Sequence, residues 1–423
     1  MPLLLLLLAL LGAPLFAVIG ASALWGFHGE EVDLQVVSVE IYRLAEMPVL
    51  LAIPLFTFAG YLLGESGAPA RLVRATRAWL GWMPGGLALI SLVTCALFTA
   101  FTGASGVTIV ALGALLFPAL LAGGYSERYS LGLITTSGSL GLLFAPSLPL
   151  ILYAVVAQQV DLDQPVSVDD LFLAGILPGL LMIALLAFWS WFSQPAARER
   201  HAFDLAEALA SLREIIWELP LPLLVLGGIY GGIITVTEAA SVAAMYVLLV
   251  EVVILHEIRL RELPRIIREA MVLVGAILII LGVSLASTNY LIDTEVPTRL
   301  FEQIQNLVDD RWTFLILLNL FLLVLGMMLD IFSALVIMIP IILPIAAGYG
   351  IHPVHLGIIF LANMQLGYFT PPVGMNLFIA SFRFRRQVME IYRATLPFFF
   401  LLLAAVLLIT YWPALSLALI DTP

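Results

Sequence analysis

Two neighbouring apolar stretches carry the strongest structural signal in the chain: GMMLDIFSALVIMIPIILP at residues 326–344 and NMQLGYFTPPVGMNLF at residues 363–378. In each stretch, small or polar residues interrupt an apolar run. Proline removes an amide donor, and unpaired backbone is tolerated at membrane depth only where protein or a cavity surrounds it. The first stretch therefore predicts a re-entrant helical hairpin with its tip at residues 326–330. The second predicts a discontinuous helix broken at residues 367–372.

The same arrangement occurs in the first half of the chain. Residues 84–121 are apolar around Thr102-Gly103-Ala104-Ser105-Gly106, and the following run breaks at residues 141–146. We interpret the halves as an inverted repeat, which is typical of secondary transporters. Two ordinary spans at residues 84–121 remain the alternative to a hairpin. Four Gly or Pro pairs share one separation of 226 residues, namely Pro118/Pro344, Gly124/Gly350, Gly141/Gly367 and Pro146/Pro372.

The composition indicates an integral membrane protein. Of 423 residues, 62% are hydrophobic, 18 are basic and 29 are acidic, and the mean hydropathy is +1.10. Apolar runs of about 20 residues, long enough to cross about 30 Å of hydrocarbon, favour an all-α protein over a β-barrel. The single cysteine, Cys95, excludes an internal disulfide. Residues 2–25 lack a basic start, so we interpret them as a retained first span and not as a signal peptide.

The arginines predict the orientation. All basic residues are arginines, and all but Arg43, Arg299 and Arg311 fall in clusters between apolar runs. With the clusters in the cytoplasm, the acidic loops lie together outside, as the positive-inside rule requires. The N-terminus is then cytoplasmic and the C-terminus periplasmic. The clusters are Arg71/Arg74/Arg77, Arg128, Arg198/Arg200/Arg213, Arg259/Arg261/Arg265/Arg268 and Arg383/Arg385/Arg386/Arg393.

The chain divides into scaffold and transport segments on this reading. We predict spans near residues 3–27, 46–64, 129–157, 171–193, 220–256 (two), 271–288, 353–380 and 395–415, hairpins at 84–121 and 312–348, and an interfacial helix at 294–311. The segments are scaffold helices at 1–83, a first transport repeat at 84–157, scaffold helices at 158–270, a second transport repeat at 271–380 and a C-terminal arm or scaffold helix at 381–423.

The breaks in the helices predict the binding chemistry. Unwound turns free carbonyl oxygens for Na⁺, and half-helix N-termini favour an anion. Asp330 is ionisable at membrane depth, which marks an ion path or a helix cap bonded near Ser333; the two roles are compatible. The predicted Na⁺ ligands are Thr102, Gly103, Ser105, Ser139, Leu142, Phe144, Gly326, Asp330, Gly367 and Thr370. The predicted substrate contacts are Ala104, Ser105, Ser147, Ser287, Pro372 and Asn376.

Other polar residues have structural interpretations. Glu238 is expected to cap a helix after Thr237. His352 and His355 lack nearby acids, so we expect no metal other than Na⁺ and no cofactor. Asn363 offers a further oxygen in the second half.

Four segments together resemble the large membrane subunit of tripartite ATP-independent periplasmic (TRAP) transporters. They are the two stretches quoted above, GGIITVTEAASVAA at residues 231–244 and GSLGLLFAPSLPLILY at residues 138–153. The chain departs from the family twice. Ala145-Pro146 stands where the family usually has a proline pair, and Val236 stands where it has a proline before the Thr-Glu pair.

The resemblance implies an elevator-type importer in the bacterial cytoplasmic (inner) membrane, driven by an inward Na⁺ gradient. Its cargo would be a small organic anion, such as a C4-dicarboxylate or sialic acid, delivered by a soluble periplasmic binding protein. A small four-helix membrane subunit would be a separate chain. The mobile part would be residues 84–157 and 271–380, with membrane lipid around the assembly.

Other functions fit the sequence less well. A carboxylate transporter or antiporter of similar architecture that needs no binding protein remains open. No GxxxxGK[ST] loop supports an ATP-driven pump. An intramembrane enzyme would need a base beside its nucleophile, and Ser105 has none beside it in the sequence. Nothing in the pattern indicates nucleic-acid binding.

Overall fold

A computed structural model describes residue 8 and residues 13–44, 46–83, 85–160, 164–193, 204–308 and 310–420. Every regular element in these ranges is helical. The start of the predicted first span lies outside the described residues, as do Asp309 and the cluster residues Arg198 and Arg200.

The helices are numbered in chain order. The first half contains α1 (Leu15–Gly29), α2 (Gln35–Leu44), α3 (Ala52–Glu65), α4 (Ala68–Leu80), α5 (Gly86–Thr102), α6 (Ser105–Ala122), α7 (Glu127–Ser137), α8 (Leu148–Ala157), α9 (Val168–Ala174), α10 (Ile176–Ser193) and α11 (Leu205–Glu214). The second contains α12 (Pro220–Tyr230), α13 (Val236–Leu248), α14 (Leu263–Asp293), α15 (Val296–Gln305), α16 (Arg311–Met328), α17 (Ile331–Gly348), α18 (Pro353–Gly367), α19 (Met375–Phe384), α20 (Val388–Tyr411) and α21 (Ala414–Leu417).

Both predicted helix-turn-helix units are present. Gly103 and Ala104 join α5 to α6, and Leu329 and Asp330 join α16 to α17. By length and composition, eight of the described helices could cross a bilayer, or nine if a bent pair counts as one span. Both arms of the second unit pass this test, so the re-entrant depth of the hairpins stays a prediction.

Both predicted discontinuous helices are present. A 3₁₀ turn (Leu140–Leu143) and an irregular segment separate α7 from α8, and the path bends by 43° there. Residues 368–374 separate α18 from α19. The Ala145–Pro146 and Pro371–Pro372 peptide bonds are both cis.

The helix boundaries confirm the repeat. The second arms α6 (Ser105–Ala122) and α17 (Ile331–Gly348) begin and end with the 226-residue separation found in the sequence. Each is followed by a glycine at positive φ, 81° at Gly124 and 70° at Gly350. This is the left-handed conformation that commonly ends a helix and that glycine adopts without strain. The short helices α4 and α15, each placed before a hairpin, also correspond.

The two halves are packed crosswise. The first arm of each hairpin lies on its own discontinuous helix, α5 on α7 and α16 on α18. The second arms cross over, so that α6 lies on α19 and α17 lies on α8. Glycines allow the closest approaches: a Cβ on Gly141 would lie 2.3 Å from the Ala96 carbonyl oxygen, and one on Gly367 would lie 2.5 Å from the Gly326 carbonyl carbon.

The remaining helices pack across the predicted segments, and the division into scaffold and transport parts stays a prediction. Helix α14, which the sequence analysis places in the second transport repeat, packs chiefly against α1, α2 and α3. Helices α10 and α20, placed with the scaffold, pack against each other, and α20 packs along α7. Within the repeat, α14 occupies the position that α3 has in the other half.

Helix α14 is also longer than the apolar run that predicted it. It has 31 residues and starts at Leu263, with charged side chains in its first turns. Arg265 forms ion pairs with Glu65 at 2.5 Å and with Glu269 at 3.0 Å, all half-exposed. Hydropathy cannot locate such an end, because the helix continues beyond the apolar stretch.

We expect Gly367→Ala to destabilise the protein by about 1–3 kcal/mol, because its Cβ would overlap the backbone of Gly326. Gly275→Ala in α14 is the matched control, since apart from the backbone of its own helix the added Cβ would have no neighbour within 4 Å. It should be neutral or gain up to about 1 kcal/mol from helix propensity. Melting temperatures in detergent measure both, and equal shifts would contradict the predicted overlap.

Candidate ion and substrate site

A cavity of about 370 Å³ lies where the hairpin tips meet. Its size and mainly apolar lining with a few polar groups are typical of small-molecule sites. Both tips, both discontinuous segments and two neighbouring helices contribute to it. The lining residues are Tyr61, Gly103, Ala104, Ser105, Gly106, Val107, Leu142, Leu273, Ala276, Ile277, Ile280, Asp330, Phe332, Ser333, Tyr368, Met375 and Ile379.

The first hairpin tip presents an uncapped helix start. Gly103 has φ +65°, and a Cβ there would lie 2.5 Å from the Leu148 side chain, so glycine is required by both conformation and space. Ala104 precedes α6 and gives its first amides no side-chain acceptor. These amides and the helix dipole make this wall of the cavity suited to an anion.

The second hairpin tip presents a carboxylate at the equivalent position. One oxygen of Asp330 accepts hydrogen bonds from the Phe332 and Ser333 amides, both at 3.0 Å. The other accepts from the Ser333 hydroxyl at 2.5 Å. The capping interpretation of Asp330 is therefore confirmed, and the same residue lines the cavity. Where Ala104 leaves a helix start open, Asp330 fills it with negative charge.

A buried hydrogen bond joins the two halves beside the cavity. The Ser105 hydroxyl donates to Asn376 Oδ1 at 2.8 Å, and Asn376 Nδ2 donates to the Thr135 carbonyl at 3.3 Å. The backbone amide of Asn376 donates to the backbone carbonyl of Tyr368 at 2.8 Å. Two predicted substrate contacts, Ser105 and Asn376, are thus brought together across the repeat.

Thr102 has an unsatisfied hydroxyl at the first tip. This side chain is fully buried, and its oxygen has no hydrogen-bond partner. Leaving a buried polar group unpaired costs about 1–3 kcal/mol. The Thr102 hydroxyl oxygen is therefore suited to coordinating an ion. The neighbouring hydroxyls are engaged within the protein: Ser147 donates to the Leu142 carbonyl at 2.6 Å, and Ser139 to the Thr136 carbonyl at 3.3 Å.

Several predicted site residues lie away from the cavity lining. Ser287 is half-buried on α14, about two turns beyond Ile280, and Pro372 is exposed. Thr370 donates to the Leu366 carbonyl at 2.7 Å, and Gly326 contacts Gly367 at the second break. Phe144 packs near Gly179, where a Cβ would lie 2.5 Å from its ring.

Two further predictions have different partners in the structure. Glu238 is a capping residue, but it pairs reciprocally with Thr235 and not with Thr237. Asn363 donates to Asn319 Oδ1 at 2.7 Å, within a buried network that includes Thr410.

His355 is buried and contacts the Ser416 hydroxyl at 3.0 Å. The described residues contain no cluster of acidic, histidine or cysteine side chains arranged to hold a metal ion.

One wall of the site was not predicted from the sequence. Tyr61 of α3 and the α14 residues Leu273, Ala276, Ile277 and Ile280 line the cavity, yet they are ordinary span residues in the sequence. Tyr368 could have been found, because it lies inside the second break; its hydroxyl accepts the Ile331 amide at 2.9 Å.

Comparisons with known proteins agree with this geometry. The protein family described as "Tripartite ATP-independent periplasmic transporter, DctM component" matches residues 2–415 of the chain. The C4-dicarboxylate TRAP transporter large permease protein DctM of Rhodobacter capsulatus is 35% identical over 429 residues, covering 98% of this chain and 97% of its own length. The chain belongs to the DctM family. The resemblance read from the four segments is confirmed.

Other relatives of this DctM-family permease are named for different solutes. The isethionate TRAP transporter permease protein DctMQ of Oleidesulfovibrio alaskensis is 35% identical over 87% of this chain and 57% of its own length. The ectoine/5-hydroxyectoine TRAP transporter large permease protein UehC of Ruegeria pomeroyi is 28% identical over 98% and 96%. All of these relatives are permeases, which move solutes and are not enzymes.

A solved structure supports the fold of the DctM-family chain. The YdaH transporter of Alcanivorax borkumensis, whose structure is described as having an unusual topology, has a TM-score of 0.64 to it. The match covers 91% of this chain and 89% of that one at 16% identity. The predicted all-α, multi-pass transporter fold is confirmed.

We expect Ser105→Ala to destabilise the DctM-family permease by about 1–3 kcal/mol, because it leaves the buried Asn376 oxygen without its donor. Ser241→Ala is the control, since the Ser241 hydroxyl is exposed and bonds only to the Thr237 carbonyl of its own helix. Thermal unfolding in detergent compares the two. A Ser105→Ala shift no larger than that of the control would rule out a stabilising link between the halves.

Proposed function

We propose that the chain is the large membrane subunit of a Na⁺-coupled, binding-protein-dependent importer of a small organic anion. The observation that carries the proposal is the cavity between the two hairpin tips, with an open helix start on one side and the Asp330 carboxylate on the other. One wall attracts negative charge and the other attracts positive charge. A cotransporter needs both in one place.

Two Na⁺ positions follow from the repeat. The first would use the Thr102 hydroxyl, which has no other partner, with oxygens of Gly103, Ser105, Ser139, Leu142 and Phe144. The second would use the Asp330 carboxylate with carbonyls of Gly326 and Gly367 and the Thr370 hydroxyl oxygen. Carboxylates, hydroxyls and carbonyls are hard oxygen donors, which suit a hard cation. The Gly326–Gly367 approach supports the second position, because it brings two backbone segments together where helices end.

The substrate would lie against the first tip. No arginine is among the residues that line the cavity, so an anionic group would be held by the amides that follow Ala104 and by hydroxyls. The apolar wall formed by α14 would limit the size of the rest of the molecule. Because the relatives are named for C4-dicarboxylates, isethionate and ectoine, which all carry a carboxylate or sulfonate group, we propose a small organic solute with such a group and no single compound.

The transport cycle would move one body against another. We propose that the hairpins and discontinuous helices move together with α10 and α20, which pack on them. Helices α1 to α3 and α12 to α14 would form the stationary scaffold. This division follows the observed packing, so it assigns α14 to the scaffold. Substrate would then cross the membrane with the hairpins, as in an elevator.

The proposed assembly has two further proteins. Family membership supports, in general terms, a small membrane subunit and a soluble binding protein. This chain covers 57% of the length of the DctMQ relative, and we infer that the rest of that relative contains its small membrane subunit. We place the complex in the bacterial inner membrane with a cytoplasmic N-terminus and a periplasmic C-terminus, from the arginine clusters.

Reconstitution tests the proposal. The chain, its small membrane subunit and the secreted binding protein encoded nearby would be assembled in liposomes under an inward Na⁺ gradient. We expect uptake of the ligand found by screening the binding protein, and we expect loss of uptake when either Na⁺ or that protein is omitted. Uptake that persists without the binding protein would contradict the tripartite mechanism. Uptake that persists without Na⁺ would contradict the coupling.

We expect Asp330→Asn to weaken the apparent Na⁺ affinity of uptake by about tenfold or more, with little effect on folding. Asparagine Oδ1 can still cap the α17 amides, while the negative charge and the acceptor of the Ser333 hydroxyl are lost. Asp310→Asn is a close control: Asp310 caps α16 through bonds to Trp312 and Thr313 at 2.8 and 3.0 Å, but it does not line the cavity. Equal Na⁺ dependence in the two variants would refute the role of Asp330.

We expect Thr370→Ala to have the same kind of effect. The Thr370 hydroxyl bonds only to the carbonyl of Leu366 near the end of α18, so its removal changes stability little. Thr57→Ala, whose hydroxyl makes the same bond to Ile53 at 2.6 Å in α3, is the control. Na⁺ titration of uptake compares them. An unchanged Na⁺ response in Thr370→Ala would remove it from the proposed ligands.

A further inference from the structure

A second group of ionisable side chains lies outside the cavity, around Arg71 of α4. Its guanidinium donates through Nε to Glu218 at 2.5 Å, lies 3.5 Å from Glu251, and is ion-paired with Glu257. Glu257 also accepts the Gly67 amide at 2.6 Å. We call these four side chains, Arg71, Glu218, Glu251 and Glu257, the Arg71 cluster. It joins α4, which leads into the first hairpin, to the segments before α12 and after α13.

The charges of the Arg71 cluster do not balance. Three carboxylates face one guanidinium, so the cluster carries two excess negative charges if all are ionised. Its side chains are mostly buried, and Glu251 is only 1% exposed. Like charges held close together away from water raise each other's cost of ionisation, and one carboxyl group commonly keeps its proton.

The contacts with Arg71 identify Glu251 as the carboxyl group that holds the proton. The Oε2 atoms of Glu218 and Glu251 are both buried without a hydrogen-bond partner, but Glu218 Oε1 accepts a 2.5 Å bond from Arg71, whereas Glu251 Oε1 lies 3.5 Å from it. The Glu251 and Glu257 carboxyl groups lie within hydrogen-bonding reach of each other. Two ionised carboxylates cannot share a hydrogen bond, whereas a proton on Glu251 would be donated to Glu257. Glu251 lies in a π-helical turn (Leu249–Ile254), a rare element that is frequent at functional sites.

The surroundings offer Glu251 no second positive charge in the part of the chain that the structure describes. Arg74 is paired with Glu207 and Glu214, and Arg265 with Glu65 and Glu269. The Tyr246 hydroxyl donates to the Trp217 carbonyl at 2.7 Å, and His256 is exposed. The cluster is not arranged to hold a metal ion, which favours a proton over a metal cation.

Glu218 and Glu257, the two carboxyl groups of the cluster that lie outside the spans, differ in the direction of their pKa shifts. Burial raises the pKa of Glu218, and Arg71 only partly offsets this. Burial acts in the same direction on Glu257, but the Gly67 amide and Arg71 outweigh it and lower the pKa of Glu257. Glu257 is therefore the better acceptor.

We propose that Glu251 binds a proton, which it donates to Glu257, and that this proton allows Arg71 to hold α4 on the helices around α13. The site is separate from the Na⁺ and substrate positions. Its proton is bound in the folded protein and lost to water on unfolding, so its stabilisation is complete at low pH and declines as pH rises. At alkaline pH a further buried negative charge weakens the attachment of α4.

The test uses the full-length protein in detergent or lipid. We expect the melting temperature of the wild type to fall as pH rises from about 6 to about 9, and Glu251→Gln to lose less than about half as much over that range. Glutamine copies the protonated carboxyl group in shape and charge. Glu207→Gln is the control, because its ion pair with Arg74 is half-exposed. It should retain the wild-type dependence on pH.

Infrared spectroscopy gives an independent measurement. The wild type should show a protonated carboxyl stretch near neutral pH that is absent in Glu251→Gln and present in Glu207→Gln and Glu218→Gln. Absence of that band from the wild type would overturn the proposal. So would a Glu251→Gln protein that keeps the full wild-type pH dependence or that fails to fold.

Discussion

The structure depends on one constraint of the lipid bilayer, that backbone amides and carbonyls must find partners inside the protein. The chain interrupts its helices at four places, the two hairpin tips and the two helix breaks. It can do so because all four meet within protein. The crosswise packing brings each second arm onto a helix of the other half, and residues of both tips and both breaks line one cavity.

The two halves share a backbone but not a chemistry. Ala104 and Asp330 stand at the same repeat position, before α6 and before α17. Ala104 leaves the start of α6 uncapped, whereas Asp330 supplies a carboxylate at the start of α17. The two halves therefore have the same backbone arrangement but opposite charge at their tips. Glycine has the opposite role, because Gly141 and Gly367 permit the same close contact in both halves. Symmetry thus resides in packing residues, and asymmetry in the residues that would meet the ion and its cargo.

The sequence predicted what local signals control. Hairpin tips, helix breaks and the repeat are marked by Gly and Pro, whose backbone preferences act within a few residues. The wall formed by Tyr61 and α14 was missed because its residues are ordinary apolar span residues until tertiary packing turns them to the cavity. The Ser105–Asn376 bond and the Arg71 cluster were missed for the same reason, since each joins residues far apart in the chain. Ser287 was selected by its hydroxyl alone, and it lies about two turns beyond Ile280, past the end of the cavity lining.

The crosswise contact of α17 with α8 has a consequence for biosynthesis. A nascent chain is inserted into the membrane from its N-terminal end, so α8 enters long before its covering helix has been made. Its exposed face must wait in lipid, or against a chaperone or insertase, until the C-terminal half follows. Final assembly is therefore a late and cooperative event, in which contacts of large sequence separation form together. A chain truncated before α17 would retain its hydrophobic segments but never complete its first repeat.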